Sequence, residues 1–251
     1  MKTAISLWIV VSALAATTSA QRRHSCPNGP HTLYSQNAVT LDGAMKQPVR
    51  VSSPDGQKVV RVKTVMNDPT TPDGWRIDLT VKSAEKTFTT SLPGFNGELA
   101  WSPDSKAFAV TLTTGGGSLG SRVYVFFVEP TGLRKVDVSA PIERHFGHPV
   151  QCEVEIAPNT GFIGWQADSS TLLVAAEVVP VSICHCMGAY RVYAMKLPSA
   201  TIAGTMTQAQ AKKQLWPSLG CELRDADDSC DSVLRRHDRP LQLSKPSSEN
   251  H

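Results

Sequence analysis

Four short stretches combine residue types that do chemistry. Gly116–Gly120, GGSLG, sets Ser118 at the centre of a nucleophile-elbow pattern, which works only where a strand turns sharply into a helix whose N–H groups face an oxyanion. The strand-like run SRVYVFFV follows instead, so this stretch reads as a hairpin loop. Its glycines also lack the Lys-Ser/Thr ending of a phosphate loop. CHC, Cys184 to Cys186, offers soft metal ligands, with His145, His148 or Cys152 as further candidates. In an extended segment Cys184 and Cys186 face one side and His185 the other, and zinc sites space their cysteines more widely, so disulfide use is favoured over metal. DADDSCD, Asp225 to Asp231, has acids at the first and third positions of a calcium loop. Cys230 falls where such a loop needs glycine and Arg236 where it needs glutamate, which leaves an acidic turn held by a disulfide. RHFGH carries His145 and His148 in an insertion between repeated segments, and that insertion is the candidate ligand loop. No catalytic residue is assigned, and no metal or other cofactor is expected.

The elements that position these stretches repeat. VSSPDGQKVVRVKTV from Val51, AWSPDSKAFAVTLTT from Ala100 and GWQADSSTLLVAAEV from Gly164 align, with turn aspartates Asp55, Asp104 and Asp168 spaced by 49 and 64 residues. Ser-Pro-Asp-Gly suits a type I turn, because Pro presets φ and Asp bonds nearby backbone N–H groups. The three aspartates are therefore structural rather than catalytic. The third copy lacks Pro and Gly but keeps Trp165 at the offset of Trp101. A period-2 run follows each turn, as in Phe108, Val110 and Leu112 against Ala107, Ala109 and Thr111, and predicts a β-strand. A second strand then opens on Arg76, Arg122 or Arg191, respectively 21, 18 and 23 residues after its aspartate. With a further short run such as LRKVDVS, each unit holds four antiparallel strands in roughly 45–65 residues, the way a propeller blade is written.

Trp-Ser-Pro-Asp, an apolar strand, a loop and Val-Tyr-Val resemble the TolB-like propeller repeats, relatives in architecture of the WD repeats. The resemblance covers about residues 45–200, best in the second copy. It implies an all-β domain of propeller-like blades and, at family level, protein- or sugar-binding work outside the cytoplasm. About six blades close such a ring; three copies imply a small, incomplete or distorted one. The segment His31 to Val51 is available for a degenerate fourth blade, joined by something from the C-terminus, or two chains complete one ring as a homodimer. A β-sandwich is the alternative fold.

Residues 1–20 have Lys2, a short apolar core and small residues Thr18 and Ala20, the layout of a cleaved signal peptide. The apolar stretch falls short of the roughly 20 residues that span a bilayer, and no transmembrane segment is expected in the mature chain. The chain is expected to be exported, periplasmic or extracellular. Residues 21–204 are expected to form the β domain, 205–232 a helix and disulfide-bearing segment, and 233–251 a polar, largely disordered tail. The even set Cys26, Cys152, Cys184, Cys186, Cys221 and Cys230 suits disulfides in an oxidising compartment. Cys221–Cys230 is the favoured local bridge, and Cys152 with Cys184 or Cys186 a second. Net charge is +3 and aromatics make up 6%, which argues against nucleic acid as a partner. The expected role is a non-enzymatic domain that binds a protein or carbohydrate. The alternatives are a secreted hydrolase or lyase with its site in the propeller channel, and a metal or redox protein using Cys184 and Cys186.

Overall fold

The computed structural model describes residues 33–43, 47–67, 74–84, 86–113, 120–146, 156–181, 184, 186–230 and 234. They form an all-β arrangement of three antiparallel sheets. The first sheet is the meander β2 (Val49–Ser52), β3 (Lys58–Met66), β4 (Trp75–Ser83) and β5 (Lys86–Pro93). The second is β6 (Asn96–Trp101), β7 (Ala107–Thr113), β8 (Arg122–Glu129) and β9 (Gly132–Asp137), and β1 (Val39–Leu41) pairs with β6 at its edge. The third is β10 (Asn159–Trp165), β11 (Thr171–Glu177), β12 (Tyr190–Lys196) and β13 (Thr201–Thr207). Each repeat is thus one blade-like meander.

The sheets pack in series. Val60, Val62, Ile77, Leu79 and Leu92 of the first meet Leu99, Phe108, Val110 and Phe126 of the second in one apolar cluster. The other face of the second sheet presents Ala100, Ala107, Ala109, Val123 and Val125 to Phe162, Leu172, Val174, Tyr193 and Met195 of the third. Strand β7 is buried along its whole length because both of its faces meet a sheet. Its bulky side chains fill one interface, and its alanines leave room in the other for Phe162 and Tyr193. Thr111, on that second face, accepts a bond from the Phe162 N–H at 2.9 Å, so its buried hydroxyl is satisfied.

Three turns share one hydrogen-bond pattern. The N–H groups of Ser53, Ser102 and Gln166 donate to the carbonyls of Lys58, Ala107 and Thr171 at 2.8–2.9 Å. Those of Gly56, Ser105 and Ser169 donate back to the Ser53, Ser102 and Gln166 carbonyls at 2.9–3.0 Å. This second set holds the residue after each aspartate at φ +70, +60 and +53°. Glycine suits that left-handed backbone, whereas serine is strained there. The two serines have a compensating use, because the Asp55 N–H donates to Ser105 Oγ at 3.0 Å and the Asp104 N–H to Ser169 Oγ at 3.1 Å. Trp101 Nε1 donates to the Val51 carbonyl at 3.0 Å, and Trp165 Nε1 to the Ala100 carbonyl at 3.4 Å. Each sheet is therefore fastened to the one before it by the same two bonds. The first copy has no sheet before it, and has Ser52 and Gly56 where the others have Trp and Ser.

The segment before β2 does not build a fourth blade. Strand β1 adds to the second sheet, Val39 to Leu41 opposite Leu99 to Gly97, and Ser35 bridges Leu219 near the C-terminus. The expected helix after the repeats begins three residues later than the Thr205 boundary, since β13 runs to Thr207. Thr207 then caps α2 (Gln208–Leu215) in a reciprocal box with Gln210. Together with α3 (Cys221–Asp225), α2 covers the outer face of the third sheet: Ala211, Leu219, Leu223 and Tyr34 pack on Ile163, Leu173, Tyr190 and Val192. The first sheet has no such cover among the described residues, so the series is an incomplete ring and not a two-sheet sandwich. No described helix is long and apolar enough to cross a membrane. Trp101→Phe, which keeps the ring and removes its donor, is expected to lower stability by about 1–2 kcal/mol in urea unfolding. Trp165→Phe loses a longer bond and is expected to cost less.

Candidate functional site

The turn aspartates are occupied within their own turns. Asp55 Oδ1 accepts from Ser53 Oγ at 2.5 Å and the Gln57 N–H at 2.9 Å. Asp104 Oδ1 takes the same bonds from Ser102 Oγ at 2.7 Å and the Lys106 N–H at 3.1 Å. Asp168 accepts from the hydroxyls of Ser170 and Thr171 and from Lys196 Nζ. The Ser170 hydroxyl leads in holding its carboxyl well below the usual range. Each carboxylate is held as an ionised acceptor inside its own turn, which is a structural use.

The repeated arginines diverge. Arg76 meets Asp78 at 3.0 Å. Arg122 bridges Asp137 at 3.1 Å and Glu143 at 3.0 Å, which ties β8 to α1 (Ser139–Phe146), and Asp137 also accepts the Ser139 and Ala140 N–H groups at the start of that helix. Arg191 is buried and donates to the Leu234 carbonyl. His145 lies exposed in the last turn of α1, edge-on to the Tyr193 ring at 5.5 Å. His148 and Ser118 lie outside the described residues, as do Cys26 and Cys152. Strand β8 begins two residues after Gly120, so no helix follows the Ser118 pattern.

Cys230 pairs with Cys186, not with Cys221. The local bridge expected from sequence fails because α3 carries Cys221 toward the Leu33–Tyr34 segment, while Cys230 packs beside Cys184, Ala189 and Cys186. Cys186 is thereby unavailable to Cys152. Cys184 and Cys221 are disulfide-bonded as well. Neither sulfur of CHC is a free thiolate, which removes it as a metal-ligand pair. Among the described residues no three His, Cys, Asp or Glu side chains gather to hold a metal.

Two carboxyls of the interior were not singled out in the sequence. Glu98 on β6 and Glu177 at the end of β11 are each 1% exposed, and both engage Tyr34. The Tyr34 N–H lies 3.2 Å from both Glu98 oxygens, and the Leu33 and Ser35 N–H groups also bond that carboxyl. The Tyr34 hydroxyl donates to Glu177 Oε2 at 3.0 Å. Burial, chiefly, pushes both carboxyls up to about 8. The Tyr34 ring lies where a Cβ on Gly161 would stand, 2.0 Å from its Cγ, so only glycine admits it. Glu177 was legible as the lone charge in the apolar run LLVAAEVVPV. Its partner, 143 residues away, was not. The pair fastens an N-terminal strap across the second and third sheets.

A further surface with a distinct chemical character is the face of the first sheet that no described element covers. Alternate residues of β2 to β5 point away from the core and place Arg50, Arg61, Lys63, Arg76 and Lys82 on this side, with Asp78 as the acid and Thr80, Thr87, Thr89 and Ser91 as hydroxyls.

Fold and surface together define an all-β chain of propeller-like sheets with one open end. No protein-family model matches the chain, and no curated protein does. Among solved structures it is similar to the acylaminoacyl peptidase of Pyrococcus horikoshii, at 12% identity and TM-score 0.38, over 67% of this chain and 26% of that one. It is also similar to the β-propeller domain of the Trilobed protease from Pyrococcus furiosus, at 14% identity and TM-score 0.37, over 69% of this chain and 44% of that one. The chain thus spans about a quarter of the length of the first and less than half of the second.

The buried carboxyls make stability pH-dependent. Their pKa values are higher folded than unfolded, so their contribution is fully present below the ordinary glutamate value near 4.5 and is lost as pH rises to about 8. The thermal midpoint is expected to fall from pH 5 to pH 8, and Glu98→Gln and Glu177→Gln are each expected to flatten that fall. Peptide mapping of the oxidised protein is expected to recover the Cys186–Cys230 link, and Cys230→Ser to cost about 2–4 kcal/mol.

Proposed function

We propose that this chain is an exported, non-enzymatic binding domain on a TolB-like propeller scaffold, and that it binds through the open end of its sheet series. The observation that carries this reading is the outer face of the first sheet, which no element among the described residues covers. The matching face of the third sheet is sealed by α2, α3 and the Tyr34 strap, and both faces of the second pack on a neighbouring sheet. A flat sheet face left to solvent at the end of a rigid stack is a preformed surface for a partner. Disulfides such as Cys186–Cys230 support residence in an oxidising compartment, in keeping with the signal-like residues 1–20.

The turn aspartates and the Glu98–Tyr34–Glu177 group have structural duties. That favours binding over the hydrolase or lyase reading, because the two interior carboxyls are out of reach of a substrate. The disulfides of Cys184 and Cys186 weigh against the metal alternative.

The test has two arms. Expressed with residues 1–20, the chain is expected in the periplasm or medium with Gln21 as its N-terminus. The mature protein is then screened on arrays of polysaccharides and extracellular proteins beside Thr80→Trp/Thr89→Trp, which roughens the open face without changing its charge. A ligand whose binding falls at least tenfold in the variant supports the proposal. Ligands bound equally by both forms, or turnover in a hydrolase and lyase panel, overturn it.

A further inference from the structure

The chemistry of the open face narrows the partner. Arg50 on β2 stands directly opposite Arg61 on β3, and Lys63 opposite Asp78 on β4. Arg61 is followed across the sheet by Thr80 and Thr89, and Lys82 stands opposite Thr87. The one acid, Asp78, is already engaged by Arg76 at 3.0 Å and Ser91 Oγ at 2.6 Å. Arg50, Arg61, Lys63 and Lys82 meet no carboxylate among the described residues, and the buried Arg61 Nε has no acceptor there. Like charges directly opposite one another weaken a sheet, and an unsatisfied buried donor carries a desolvation cost. Nothing among the described residues offsets either; an anion laid on the face offsets both.

The charge is also local. Five bases and one acid share this face, whereas the whole chain is only +3, so the rest of the molecule is net negative. Extending the binding reading above, on which this inference rests, we infer that the open face binds a linear polyanionic polysaccharide, sulfated or carboxylated. Cations repeat across strands about 4.8 Å apart and along them at alternate residues, a spacing that serves a polymer better than one compact anion. The Thr and Ser rows beside them offer hydrogen bonds to sugar hydroxyls. The face presents no aromatic ring on which a nucleic-acid base would stack, and no Trp, Phe or Leu to enter a lipid surface. A second copy docked face to face, the ring completed by a homodimer, would set five bases against five.

The test uses the oxidised mature chain from Gln21 with heparin oligosaccharides, polygalacturonate and neutral dextran as probes, and with duplex DNA and phosphatidylglycerol vesicles as competing surfaces. Binding to heparin or polygalacturonate, but not dextran, is expected at 50 mM salt. Arg50→Gln/Arg61→Gln/Lys63→Gln is expected to weaken it at least tenfold and to make the salt slope shallower by roughly 2–3, with an unchanged or higher thermal midpoint. Lys63→Gln/Lys82→Gln, at exposed positions, provides the same readout if the triple variant does not fold, and Lys213→Gln on α2 is expected to bind like the parent. Unchanged binding by the face variants, no binding to either polyanion, or tighter binding to DNA or vesicles overturns the inference. If Thr80→Trp/Thr89→Trp still abolishes binding of some neutral or protein ligand, only the polyanion inference falls. If no ligand depends on the face, the binding-domain reading falls with it.

Discussion

The fold depends on a pair of hydrogen bonds made twice. A tryptophan indole and a serine hydroxyl on one turn reach the backbone of the preceding turn, Trp101 and Ser105 to the first sheet, Trp165 and Ser169 to the second. These bonds act at one end of each sheet, where the turn aspartates have already made the backbone rigid. Apolar side chains supply most of the driving force between the sheets, but that force is not directional. The turn bonds set which sheet follows which and in what register, so three short meanders become one ordered series.

A series that does not close has two ends, and this chain treats them differently. At the third sheet an apolar face is covered by α2, α3 and the strap at Tyr34, with Gly161 and Gly220 leaving the room that the strap requires. The Cys186–Cys230 disulfide ties the loop before β12 to the segment after α3 and holds the cover in place. The strap is bought with two buried carboxyls, whose raised pKa values keep them protonated near neutrality. At the first sheet the outer face is basic, and no element among the described residues covers it. The sheet edge and face that a closed ring would hide are tolerated here because charge makes self-association unfavourable.

This asymmetry gives the molecule a direction. Interior polar groups at the capped end face one another and hold the chain; those at the open end face outward, where Arg76 and Ser91 share Asp78 and the other cations meet no carboxylate among the described residues. Arg61 belongs to both worlds, with a stem in the sheet and an Nε without an acceptor. Its cross-strand neighbour Arg50 adds a second cation with no internal purpose. The repeat that dominates the sequence is therefore scaffold, and the cations that meet no carboxylate among the described residues gather on the sheet at the open end.

What the sequence by itself determined is local. Period-2 runs marked the strands, and the recurring turn clusters marked the structural duty of Asp55, Asp104 and Asp168, because each of these interactions spans five residues or fewer. The all-β, incomplete propeller-like class followed from their recurrence. Tertiary structure alone decided the rest. The disulfide partner of Cys230, the pairing of β1 with β6, and the meeting of Tyr34 with Glu98 and Glu177 across 64 and 143 residues are contacts between distant segments. Packing selects them, and no local pattern encodes them. The basic face was in the sequence all along as alternating Arg, Lys and Thr, but only the absence of a covering sheet among the described residues turned it from an interior surface into a site.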